Sequence, residues 1–139
     1  MPEVAVAGRR QALPAPVVRR VVAAVLAAER RDADISVTFL GRDSMRRLNF
    51  RYKHHDAPTD VIAFTLPAAP AGRLVGDVYV CPWVTARAAR THGVTARQEL
   101  IRVVVHGVLH VLGYDHPEGE DRARSPMWRR QERYVGRFR

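Results

Sequence analysis

The sequence predicts a single α+β domain spanning residues 1–139, with a small mixed β-sheet of three to four strands packed with about five helices around a central, buried helix. Three observations lead there. The apolar residues alternate along the chain between a helical period and a period of two. The stretch Leu100 to Leu112 is apolar on nearly every face, so a helix there must be enclosed by other elements. The chain has 139 residues, 47% hydrophobic and 27% charged, which is ordinary usage for one core and does not indicate disorder.

The elements follow in order. After Pro14 and Pro16, the residues Val17, Val18, Val21, Val25 and Leu26 trace one face of a helix running to about Glu29, with arginines opposite. Ile35, Val37 and Phe39 alternate as a half-buried strand. Asp43 is placed to cap a second helix whose inward residues are Met45, Leu48 and Tyr52, and which ends in the polar Lys53-His54-His55-Asp56 run before Pro58. Val61 to Phe64 reads as a strand, Pro67 to Gly72 as a loop, and Leu74 to Val80 as a longer strand. Pro82 suits the first turn of a helix that Gly93 ends. Thr95-Ala-Arg-Gln98 has the form of a capping box and opens the central helix. Val103-Val104-Val105 could be strand in isolation, but the uninterrupted length and the cap favour helix. Gly107 inside it costs about 1 kcal/mol relative to alanine, which points to close approach by another group or to tight packing. Ser125-Pro126 begins a terminal helix offering Met127, Trp128, Gln131 and Tyr134 for packing.

The central helix carries the chemistry. His106 and His110 are four residues apart, so their side chains share one helix face. Gly113 falls where a left-handed residue can end the helix and turn the chain, bringing His116 back over the same face. Three imidazoles can hold one zinc ion and leave a coordination position open, the catalytic pattern, whereas structural zinc sites usually close with four protein ligands. The spacing matches the long zinc-protease signature H-E-x-x-H-x-x-G-x-x-H, but Gly107 stands where that signature has its general-base glutamate, so peptide hydrolysis is disfavoured.

Charge and composition narrow the partners. The formal net charge is +9, and of 23 lysines and arginines all but Lys53 are arginine, whose planar fork suits phosphate. The single cysteine, Cys81, excludes an internal disulfide framework and reads as a small buried hydrophobe in a reducing compartment. Met1 to Arg10 lacks the apolar core of a signal peptide, and the apolar stretch after Arg20 is too short to span a bilayer, so a cytoplasmic, non-membrane protein is expected.

The segment His106-Gly-Val-Leu-His110-Val-Leu-Gly113-Tyr-Asp-His116 resembles the signature of the YbeY endoribonuclease family. Leu48-Asn49, the run Asp56-Ala-Pro58-Thr59-Asp60-Val61-Ile62-Ala63-Phe64 and the strand Gly76-Asp77-Val78-Tyr79-Val80-Cys81-Pro82 resemble further family segments, so the likeness extends from about Val17 to Tyr134. The resemblance implies a zinc-dependent endoribonuclease that prefers single strands. It implies action on ribosomal RNA of the small ribosomal subunit, in 16S rRNA 3′-end maturation and ribosome quality control, with ribosomal proteins or an assembly GTPase as possible partners. It implies one Zn²⁺ per chain at His106, His110 and His116. It also places Lys53 where the family usually has a functional arginine. Lysine keeps the positive charge but loses the bidentate fork, and Arg51 is close enough in sequence to substitute.

In that setting, zinc can act on a phosphate as a Lewis acid or acidify a water, and Lys53 can stabilise the charge that grows on the phosphate oxygens. Either water or the ribose 2′-hydroxyl can be the nucleophile. Asp115 can orient a ligand imidazole or bind the turn backbone. His54 and His55 fit a solvent-facing loop better than acid–base roles, and Asn49 and Thr59 can touch substrate or cap backbone. Two rival readings remain: a non-catalytic, zinc-containing ribosome-assembly or RNA-binding factor, and a zinc peptidase or amidase.

Overall fold

Among the described residues, nine helices and strands follow one another: β1 (Val4–Gly8), α1 (Ala15–Glu29), β2 (Ala33–Phe39), α2 (Arg42–Lys53), β3 (Val61–Leu66), β4 (Leu74–Val80), α3 (Pro82–His92), α4 (Ala96–Val111) and α5 (Pro126–Val135). Short 3-10 turns occupy Gly119–Arg124 and Gly136–Phe138. The computed structural model describes residues 2–8, 13–66, 72–116 and 119–138, the side chains of 119–121 excepted. Most of the expected loop from Pro67 to Gly72 lies outside the described residues.

The sheet has the order β1-β2-β4-β3, with β1, β2 and β4 parallel and β3 antiparallel to β4. This is the mixed sheet of the α+β class. Strand β1 was not expected from the sequence. Its Val-Ala alternation offers little polarity contrast, and its support is the ladder that sets Val4 to Gly8 against Ile35 to Phe39. Strand β3 runs two residues past Phe64, to Leu66.

Helix boundaries follow local chemistry. In α4 the Thr95 hydroxyl accepts from the Gln98 N–H at 3.0 Å while the Gln98 side chain accepts from the Thr95 N–H at 2.9 Å, completing the capping box. The Ser125 hydroxyl accepts from the Trp128 N–H at 3.1 Å to start α5, and Gly93, with φ of 66°, ends α3. Helix α2 departs from expectation at two residues. Its N-cap is Gly41, and Asp43 lies inside the first turn, where its charge favours the positive end of the helix dipole without a capping hydrogen bond. Tyr52 is 53% exposed, although its ring meets that of Phe64 edge-on at 4.9 Å, while Met45 is fully buried as expected.

Helix α4 crosses one sheet face, flanked by α1, α3 and α5, while α2 covers the other face over Ile62 and Cys81. Cys81 is fully buried, as expected. Two glycines set the depth of α4. A Cβ on Gly107 would lie 2.5 Å from Val78 Cγ1, and one on Gly76 would lie 2.3 Å from Val111 Cγ1. Helix and strand backbones therefore meet reciprocally, each glycine receiving a valine of the other element. This packing fixes the height at which α4 presents His106 and His110 above β3. Among the described residues, no helix is long and apolar enough to cross a membrane.

Candidate metal centre and its cleft

His106 and His110 stand one turn apart on α4, with ring centroids 4.6 Å apart. The helix then ends in paired hydrogen bonds, Tyr114 N–H to Leu109 C=O and Gly113 N–H to His110 C=O, each 3.0 Å. Gly113 takes the φ of 102° that this termination requires, and an L side chain resists that value. The chain doubles back, placing the His116 ring 5.0 Å from that of His106 and 5.2 Å from that of His110. Asp115 supports the turn by accepting the His116 backbone N–H at 2.9 Å, which is its backbone role.

One potential ligand atom from each histidine lies within 4.8 Å of the others, so the trio could hold a metal ion. Imidazole nitrogen suits zinc among the divalent cations, and neutral ligands leave a bound cation its full charge. Burial holds His106 at a pKa of about 4, far below the usual imidazole value, despite its hydrogen bond with Gln131. Burial, followed by the neighbouring His116, lowers His110 in the same direction. Both rings are thus neutral near pH 7, the state that binds metal. The Nδ1 of His106 meets Gln131 Oε1 at 2.6 Å, and the Gln131 amide nitrogen donates to Glu132 at 3.0 Å. Glu132 also accepts a fork from Arg102, with separations from 2.8 to 3.2 Å. These contacts tie a candidate ligand on α4 to α5, and the donor set fits zinc.

The histidines form the floor of a cavity of about 450 Å³. Lys53, at the end of α2, and Arg122, from the 3-10 turn, contribute cations to its wall. Thr59 and Asp60 approach from the segment before β3, and Val61 and Ala63 from β3 itself. The Asp60 carboxylate accepts the Val61 N–H at 2.7 Å and faces the Thr59 hydroxyl at 3.4 Å. Asn49 is buried and donates to Ala57 C=O at 2.8 Å, anchoring this segment to α2.

Of the candidate residues, the three histidines converge and Lys53 lies on the cleft wall. Arg51 is not part of that wall; its guanidinium sits 5.6 Å over the Tyr52 ring. His54 and His55 are exposed and lie away from the cavity lining. Sequence reasoning missed Gln131, Asp60 and Arg122 as site residues. A polar side chain among the apolar positions of α5 was a signal for Gln131, whereas Arg122 lies in a stretch without periodicity and gave none.

The fold and this cleft define a small α+β domain with a three-histidine site able to hold a metal ion. The chain belongs to the endoribonuclease YbeY family, whose model matches residues 10–139. A Thermotoga petrophila endoribonuclease YbeY is 38% identical over 104 residues, covering 75% of this chain and 67% of the relative. A Bordetella petrii endoribonuclease YbeY is 40% identical over 97 residues, covering 70% of this chain and 63% of the relative. The chain thus spans about two thirds of the length of these relatives. A solution structure of a Thermotoga maritima protein superposes with a TM-score of 0.68 at 29% identity, covering 95% of this chain and 86% of that one.

Proposed function

We propose that the chain is a zinc-dependent endoribonuclease that cuts single-stranded RNA. One zinc ion per chain is held by His106, His110 and His116. The observation that carries this reading is the convergence of three imidazoles at the floor of a cleft with cations on its wall. When bound there, zinc supplies Lewis acidity toward a phosphoryl oxygen and lowers the pKa of a coordinated water toward about 7.

The chain's own groups do the rest. Lys53 places a positive charge beside the reacting phosphate and stabilises the negative charge that grows on its oxygens. Gln131 holds His106 in one tautomer. Asn49 and Asp60 keep the segment before β3 in place, and the apolar Val61 and Ala63 limit water on one wall. Residues 1–139 act as one domain. Its substrate is ribosomal RNA of the small ribosomal subunit, in 16S rRNA 3′-end maturation and ribosome quality control in the cytoplasm, with ribosomal proteins or an assembly GTPase as partners. Family membership and the net charge of +9 support that choice of polymer.

The test offers zinc-loaded protein a single-stranded RNA, the same RNA in a duplex, and casein. Cleavage confined to the single strand is expected. Casein cleavage without RNA cleavage would replace this reading with a peptidase.

A further inference from the structure

Behind the metal cleft lies a second cavity of about 190 Å³, which shares Asp60, His106 and Arg122 with the first and has Trp128, Ala88 and Val103 on its walls. Arg122 stands where the two meet. Its guanidinium lies 5.7 Å from the Trp128 ring centroid, and its Nε is buried with no hydrogen-bond partner among the described residues. Other half-buried arginines of the fold are matched to carboxylates: Arg102 to Glu99 and Glu132, and Arg130 to Glu29. A buried donor left unpaired is costly, and a ligand supplying the acceptor removes that cost. The acceptor must be one that can follow a chain from the first cavity into the second. Arginine's fork matches the paired oxygens of a phosphodiester. The second cavity has the scale of one nucleobase and offers it an aromatic wall.

We propose that Arg122 grips the phosphodiester adjoining the one held over the three histidines, directing the next nucleotide into the second cavity against Trp128. Arg122 is thus a positioning residue for the RNA strand. This assignment rests on the RNA-cleaving reading and deepens it.

The test measures binding of a fluorescent single-stranded RNA to wild-type, Arg122→Gln and Arg122→Lys proteins in chelator across a salt series, with steady-state cleavage by the zinc-loaded forms. Thermal melting confirms that each variant is folded. Arg122→Gln is expected to weaken binding about tenfold, to lower the slope of log affinity against log salt by about 0.7, the value of one single-strand phosphate contact, and to raise KM more than it lowers kcat. Arg122→Lys restores the slope but not the full affinity, since it keeps the charge without the fork. A methylphosphonate at the adjoining linkage should penalise the wild type as Arg122→Gln does and penalise Arg122→Gln no further. Additive penalties, or an Arg122→Gln protein with wild-type affinity and slope, would overturn the assignment while leaving cleavage intact. Failure of the wild type itself to cut RNA would instead overturn the parent reading.

Discussion

Gln131 offers its side-chain oxygen to Nδ1 of His106 at 2.6 Å, and the Glu132 carboxylate, which can only accept, orients the amide by taking its nitrogen at 3.0 Å. Nδ1 of His106 is therefore the protonated nitrogen, and Nε2 is the one free for a metal. Replacing Gln131 with leucine removes the group that selects this tautomer. A loss of about 10–100-fold in zinc affinity is expected, read by competition with a calibrated chelator, with the melting temperature of the metal-free protein shifted by only a few degrees. Unchanged zinc affinity would show that the contact supports packing alone.

The metal-free protein should lose stability in mildly acidic solution. His106 titrates at about 4 in the folded chain because it is buried, while the unfolded chain titrates near the ordinary imidazole value of about 6.5. Between these values the unfolded state holds more protons, so stability is full above about pH 6.5 and declines as pH falls toward 4, by up to roughly 3 kcal/mol from this residue. His110, also lowered, acts in the same direction. Urea denaturation at several pH values reads the effect. His106→Gln should flatten most of the dependence, and an equal slope in that variant would assign it elsewhere.

Lys53 separates charge from geometry. Lys53→Met should reduce RNA cleavage by about 10²-fold or more with zinc content unchanged, the scale of losing one group that stabilises transition-state charge. Lys53→Arg should keep most of the activity, since the fork can also meet a phosphate. If Arg51→Met were the damaging change and Lys53→Met were silent, the assignment would move to Arg51.

Gly107→Ala tests how α4 sits on the sheet. Alanine improves helix propensity by about 1 kcal/mol, yet its Cβ would lie 2.5 Å from Val78 Cγ1 and 3.3 Å from Val61 Cγ2. Overpacking of this kind costs about 1–3 kcal/mol, so a net loss of stability is expected in chemical denaturation. Val78→Ala in the same chain should recover part of it. A more stable Gly107→Ala protein would show that α4 can lift off β4 freely.

Much of this architecture was legible because its signals are local. The capping box at Thr95, the proline starts at Pro82 and Pro126, and the glycine stops at Gly93 and Gly113 each mark a boundary through the conformation of one or two residues. The histidine trio was legible for the same reason, being encoded within eleven residues by one helical turn and one glycine. What escaped depends on distant partners. Strand β1 exists through its ladder with β2, and Gly41 displaces Asp43 as the cap of α2 because the helix begins at Arg42, two residues before the expected start. Gln131 and Arg122 reach the site only because α5 and the turn before it fold back over α4. Lys53 was found by resemblance, and its place on the cleft wall depends on how α2 is set against β3.

The most direct measurement is zinc stoichiometry together with single-stranded RNA cleavage, made on the purified protein, on the same protein stripped with chelator, on the stripped protein given zinc back, and on His110→Ala. The account predicts one zinc per chain, loss of cutting on stripping, recovery on zinc return, and a folded His110→Ala protein that neither retains zinc nor cuts. Cleavage that persists at full rate in the stripped protein, or in a His110→Ala protein free of zinc, would contradict it.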